Sequence, residues 1–149
     1  MALEQEVMQK MKEAMKAKDS VALASLRSIK NEILKAKTAT SNKEDMDKTE
    51  ELKLVQRLVK QRKDSADVYL EQNRKDLADA ELAEVEVIEQ FLPAQLSEEE
   101  VDKEVKAIIQ ESGATTMKDM GKVMGMASQK LVGKADGKTI SKIVKDNLS

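Results

Sequence analysis

A chain of 149 residues, 40% apolar and 36% charged with a net charge of −2, can bury one large core or two small ones. It has no Cys and no His, which excludes disulfides, thiol nucleophiles, the usual zinc sites and every histidine general base. One Pro, one Phe, one Tyr and no Trp leave Leu, Ile, Val, Ala and nine Met to build the interior, a composition that predicts an all-α protein.

Leu3, Val7, Met11 and Ala14/Met15 trace one face of a first helix that ends near Lys18, and Asp19-Ser20 supplies a turn and cap. A second helix presents Leu23, Leu26, Ile29, Ile33 and Leu34. Residues 38–49 are polar and aperiodic and are expected to be a mobile loop. The third helix is long, with Leu52, Val55, Val59, Ala66 and Tyr69 in register. Arg62 sits beside that stripe, and a packed guanidinium needs a carboxylate, for which Glu81 or Glu84 is expected. Asn73-Arg74-Lys75 breaks the pattern, and Asp76 is expected to cap a fourth helix that folds back on the third.

Phe91-Leu92-Pro93-Ala94-Gln95-Leu96-Ser97 marks a boundary, because proline disfavours a helical Leu92. Ser97 with Glu100 has capping-box spacing for a fifth helix that stops at Gly113, and Thr116 with Asp119 repeats it for a sixth. Gly133 ends that helix, and Asp136 or Gly137 opens a seventh with Ile140, Ile143, Val144 and Leu148. The expected organisation is a four-helix module over residues 1–92 and a three-helix module over residues 96–149. The absence of an apolar leader or of any apolar run of about 18 residues leads us to expect a soluble, cytoplasmic protein without membrane association.

Residues 116–138 carry most of the functional signal. Glycine inside a helix costs roughly 0.5–1 kcal/mol relative to alanine, so Gly121 and Gly125 are expected to serve close helix–helix packing or the approach of a ligand. Charge is also segregated. Residues 93–112 hold 2 lysines against 6 acids, whereas residues 113–149 hold 7 lysines against 3 acids. Lys118 and Lys122 share one helical face, Lys138, Lys142 and Lys145 share another, and Lys130 and Lys134 flank the turn between them. If the two faces coincide, these seven amines form one phosphate-tracking surface. The opposing expectation is a solvated surface balanced by Asp119, Asp136 and Asp146.

The runs Lys60-Gln61-Arg62-Lys63-Asp64-Ser65, Arg74-Lys75-Asp76-Leu77, Phe91 to Ser97, Met117 to Gly125 and Gly133 to Gly137 resemble the YqeY proteins of the GatB/YqeY group across essentially the whole chain. The C-terminal module is similar to the tail domain of GatB, a component of the tRNA-dependent amidotransferase, which converts glutamyl- or aspartyl-tRNA to the glutaminyl or asparaginyl form. That resemblance implies a helical appendage that holds tRNA, without the catalytic parts of the larger enzyme.

The chain is therefore expected to be a non-catalytic tRNA-docking adaptor with no cofactor and no metal, whose partners are tRNA, a tRNA-modifying enzyme or another protein. Two alternatives stand beside it: a protein-interaction module that grips through the hairpin of helices three and four, and, more distantly, a carbon–nitrogen ligase using glutamine. A second basic run, Arg57, Lys60, Arg62 and Lys63, is expected to be ion-paired with Asp64, Asp67, Glu81 and Glu84, or else to form a further anion patch. The face made by Met117, Met120, Met124 and Met126 is expected to be core.

Overall fold

The computed structural model describes residues 2–39 and 46–149, and among them the chain is all-helical. Seven α-helices occur in these residues: α1 (Ala2–Ala17), α2 (Ser20–Ala39), α3 (Lys48–Glu71), α4 (Lys75–Glu89), α5 (Glu98–Ser112), α6 (Met120–Lys130) and α7 (Gly137–Leu148). A 3-10 turn, Met117–Asp119, leads into α6. Two compact units result, Met1–Leu92 and Pro93–Ser149, each with its own buried apolar cluster.

In the first unit, α1 and α2 form one antiparallel hairpin and α3 and α4 another. Leu3, Val7, Leu26, Ile29, Ile33, Leu54, Val55, Leu58, Val85 and Ile88 fill the interior. Asp19 caps α2 by accepting from the Ala22 amide at 3.0 Å, and Asp47 closes a full capping box with Glu50 at the start of α3. The loop expected over residues 38–49 is shorter than its polarity implied. Thr38 and Ala39 continue α2, Lys48 and Thr49 begin α3, and residues 40–45 lie outside the described residues. The expected cap at Asp76 is also corrected. The helix starts two residues earlier, with Arg74 in the cap position, and Asp76 instead holds the Arg74 guanidinium through two contacts of 3.1 Å.

Arg62 lies where the two hairpins meet. Its side chain is only 14% exposed, and it donates from Nε to Glu84 Oε2 at 3.0 Å, from Nη2 to Ser28 Oγ at 2.7 Å and from Nη1 to the Leu58 carbonyl at 3.1 Å. One guanidinium thereby ties α2, α3 and α4 together, and Glu84 is the partner of the two expected.

Glu51, in the first turns of α3, is 6% exposed. It faces a cavity of about 10 Å³ also lined by Glu6 and Lys48, room for no more than one water. Among the described residues no buried side-chain oxygen lacks a partner, and the helix N-terminus favours a negative charge in the first turn of α3 by about 0.3–1 kcal/mol. Glu51→Gln is therefore expected to destabilise this unit by a similar amount. Urea unfolding followed by amide exchange in α3 checks this, and a gain of stability would show that burial outweighs the dipole.

Candidate functional site

In the second unit α5, α6 and α7 each pack against the other two. The core is Val101, Val105, Ile108, Val123, Ala127, Leu131, Ile140, Val144 and Leu148. Ser97 with Glu100 and Thr116 with Asp119 form the capping boxes that open α5 and the 3-10 turn. α5 and α6 run antiparallel. Lys130 Nζ meets Glu104 Oε2 at 2.9 Å at one end, and Lys122 Nζ reaches the Ser112 carbonyl at 3.4 Å at the other. The end of α7 is tied to the start of α5 by Asn147 Nδ2, which donates to Asp102 Oδ1 at 2.8 Å. Asn147 and, after it, Lys106 hold the Asp102 carboxyl below the ordinary aspartate range.

The turn between α6 and α7 is built around a left-handed residue. Gly133 is buried with φ 78°, where a side chain is disfavoured. Its carbonyl accepts from Gln95 Nε2 at 2.7 Å, and the next carbonyl, Lys134, accepts from the Leu96 amide at 2.9 Å. The segment ahead of α5 is thus bonded to the turn ahead of α7, a link that the sequence did not signal. Gly133→Val is expected to cost about 2–4 kcal/mol, combining left-handed strain with crowding at a buried site. Gly133→Ala is expected to cost less. Equal melting of the two variants by circular dichroism would remove the steric part of this account.

The seven lysines separate into distinct groups. Ile140, Ile143, Val144 and Leu148 bury one side of α7, and at 100° per residue Lys138, Lys142 and Lys145 fall within roughly 60° of one another on the opposite side. None of the three has an acid partner among the described residues. Lys118 and Lys122 stand on the outer side of the 3-10 turn and α6, and Lys134 lies in the turn. Lys130 is withdrawn from any patch by Glu104, whose hydrogen bond and charge raise its pKa. The apolar stripes of α6 and α7 face a shared interior, so these lysines stand on outer faces as two stripes, one on α7 and one on the 3-10 turn and α6.

The acids expected to neutralise these lysines are largely occupied by backbone. Asp119 accepts from the Thr115 and Thr116 amides at 3.0 and 3.4 Å, and Asp136 caps α7 by accepting from the Thr139 amide at 2.7 Å. Gly121 and Gly125 do not serve close packing within the chain. Both are exposed, and a Cβ placed on either would meet nothing within 4 Å. Their effect is to leave the α6 backbone uncovered beside Lys118 and Lys122. Met120, Met124 and Met126 pack against the core as expected, but Met117 is 41% exposed and is not part of it.

The second basic run forms no free patch. Arg57 contacts Glu32 at 3.4 Å, Lys60 contacts Asp64 at 2.7 Å, Arg62 contacts Glu84 and Lys63 contacts Glu89 at 3.2 Å. A cleft of about 420 Å³ in the first unit is lined by Gln5, Glu6, Gln9, Lys10, Gln90 and Phe91, a set with no nucleophile–base pair. Among the described residues no three His, Cys, Asp or Glu side chains gather closely enough to hold a metal ion, and no helix is long and apolar enough to cross a membrane.

Three relatives carry the same description, "Altered inheritance of mitochondria protein 41, mitochondrial". The protein of Lachancea thermotolerans is 36% identical over 104 residues, covering 68% of this chain and 54% of its own length. That of Kluyveromyces lactis is 31% identical over 135 residues, covering 89% of this chain and 68% of its own. That of Vanderwaltozyma polyspora is 31% identical over 116 residues, covering 74% of this chain and 62% of its own. The chain therefore spans between about half and two thirds of the length of these relatives. Their mitochondrial naming overturns the expectation of a plainly cytoplasmic protein. That expectation rested on the missing apolar leader and the missing long apolar run, and neither feature distinguishes the cytoplasm from the interior of an organelle. Residues 4–148 match the family model described as Yqey-like protein, and on that near-complete match the chain belongs to the YqeY family.

Proposed function

We propose that this chain is a non-catalytic adaptor that docks on tRNA through sugar-phosphate contacts, with the outer face of α7 as the main contact. The observation that carries this reading is the set Lys138, Lys142 and Lys145, three amines on one helical face without acid partners among the described residues, next to a cap that already occupies Asp136. The uncovered backbone at Gly121 and Gly125 favours a second, closer approach beside Lys118 and Lys122. The chain's Phe91 and Tyr69 both lie in the first unit, so the second unit has no aromatic ring on which to stack a base. Recognition there rests on shape and phosphate position. The likeness of this unit to the tail domain of GatB in the amidotransferase supports tRNA as the polyanion.

The test is the affinity of the full chain for unmodified tRNA between about 50 and 200 mM salt. Three phosphate contacts give a log–log slope of about −3 and a loss of roughly fortyfold over that range. A flat response removes the proposal.

A further inference from the structure

A second surface lies in the first unit and bears no relation to the lysines of α7. Lys37 Nζ meets Glu4 Oε2 at 2.6 Å, which sets the register of the α1–α2 hairpin. From Glu4, Met8, Met11 and Met15 follow at helical spacing along the outer edge of α1. From Lys37, Leu34, Lys30 and Leu23 follow along the matching edge of α2 toward the same turn. The two lines run side by side from one ion pair, so they form a single seam about 17 Å long. Met8 is 41% exposed, Met15 53% and Leu34 45%, while Met11 and Leu23 are half-buried against the core beneath.

Charge is sorted across this seam. On the side away from it, Lys10 pairs with Glu13, and Lys35 and Arg57 both pair with Glu32. On the seam side, Lys12, Lys16, Arg27 and Lys30 have no acid partner among the described residues, and Glu4 is taken up by Lys37. The result is an apolar strip of three adaptable methionines and two leucines between cations without acid partners among the described residues. Its complement is a helix with an apolar stripe bordered by carboxylates, since methionine moulds to irregular helical partners and the cations select acidic flanks. We propose that the outer seam of α1 and α2 docks an acidic amphipathic helix of a partner protein.

The test uses the full chain labelled at its methionine methyl groups. Three probes are compared: a synthetic leucine-striped helix of roughly 14–18 residues with glutamate flanks, the same peptide with lysine flanks, and phosphatidylglycerol vesicles. The glutamate peptide is expected to shift the methyl signals of Met8, Met11 and Met15 and to leave Met120 and Met124 unmoved. Met8→Ser with Met15→Ser is expected to weaken that binding at least about tenfold without changing the thermal melt, because both side chains are already largely in solvent. Absence of the shifts, equal binding of the lysine peptide, or a response to vesicles alone overturns the proposal. None of these outcomes bears on the tRNA slope.

Discussion

Arg62→Ala is expected to destabilise the first unit by about 2–3 kcal/mol. Breaking a buried ion pair by removing one partner costs about 3–5 kcal/mol. Here Glu84 retains 31% side-chain exposure and recovers some hydration, so the lower part of that range is appropriate. Two further losses accompany it: the bond from Nη2 to Ser28 Oγ and the packing of the aliphatic stem.

The magnitude can be divided by a second variant. Glu84→Gln leaves the guanidinium its bonds to Leu58 and Ser28, and is expected to cost only about 1 kcal/mol. If Arg62 served merely as a solvated charge, both substitutions would fall within about 0.5 kcal/mol of the parent. Denaturant unfolding with amide exchange in α2, α3 and α4 provides the measurement, because a chain of two units need not melt as one.

The partner of Arg62 was legible because a helical hairpin constrains which residues face each other. Once α3 and α4 are read as antiparallel, few carboxylates can reach that guanidinium, and Glu84 is among them. Capping boxes were equally legible, since Ser97 with Glu100 and Thr116 with Asp119 express their bonding within four residues. What remained hidden depends on residues far apart in the chain. Nothing near Lys130 indicates that Glu104 will engage it, and nothing near Gly133 indicates that Gln95 will donate to its carbonyl.

The glycines of α6 show a related limit. Spacing of four places Gly121 and Gly125 on one face, but whether that face meets another helix or solvent depends on how Val123 and Ala127 orient the helix against α5 and α7. The same rotation that buries Val123 turns both glycines outward. Likewise, the sequence placed lysines on two helices but could not fix the angle between their outer faces. The packing of three mutually contacting helices determines it.

Under the tRNA-docking proposal, neutralising Lys138, Lys142 and Lys145 together with glutamine is expected to reduce affinity by roughly a hundredfold at low salt. Each charged contact to a phosphate contributes about 1 kcal/mol after solvent screening is discounted, and three such contacts give that factor. The salt slope should become less steep by nearly three, since about 0.9 is lost per phosphate released. The fold should not change, because all three amines point away from Ile140, Val144 and Leu148. Lys130→Gln is the matched control. It removes the same charge from the same unit, but that amine is already held by Glu104 at 2.9 Å, so the slope should stay as in the parent. Lys118→Gln with Lys122→Gln tests the other stripe and should remove fewer than three contacts. If the control reduces the slope per residue as much as the α7 variant does, affinity follows net charge rather than a surface on α7. In that case the helix has no special part in holding the polyanion.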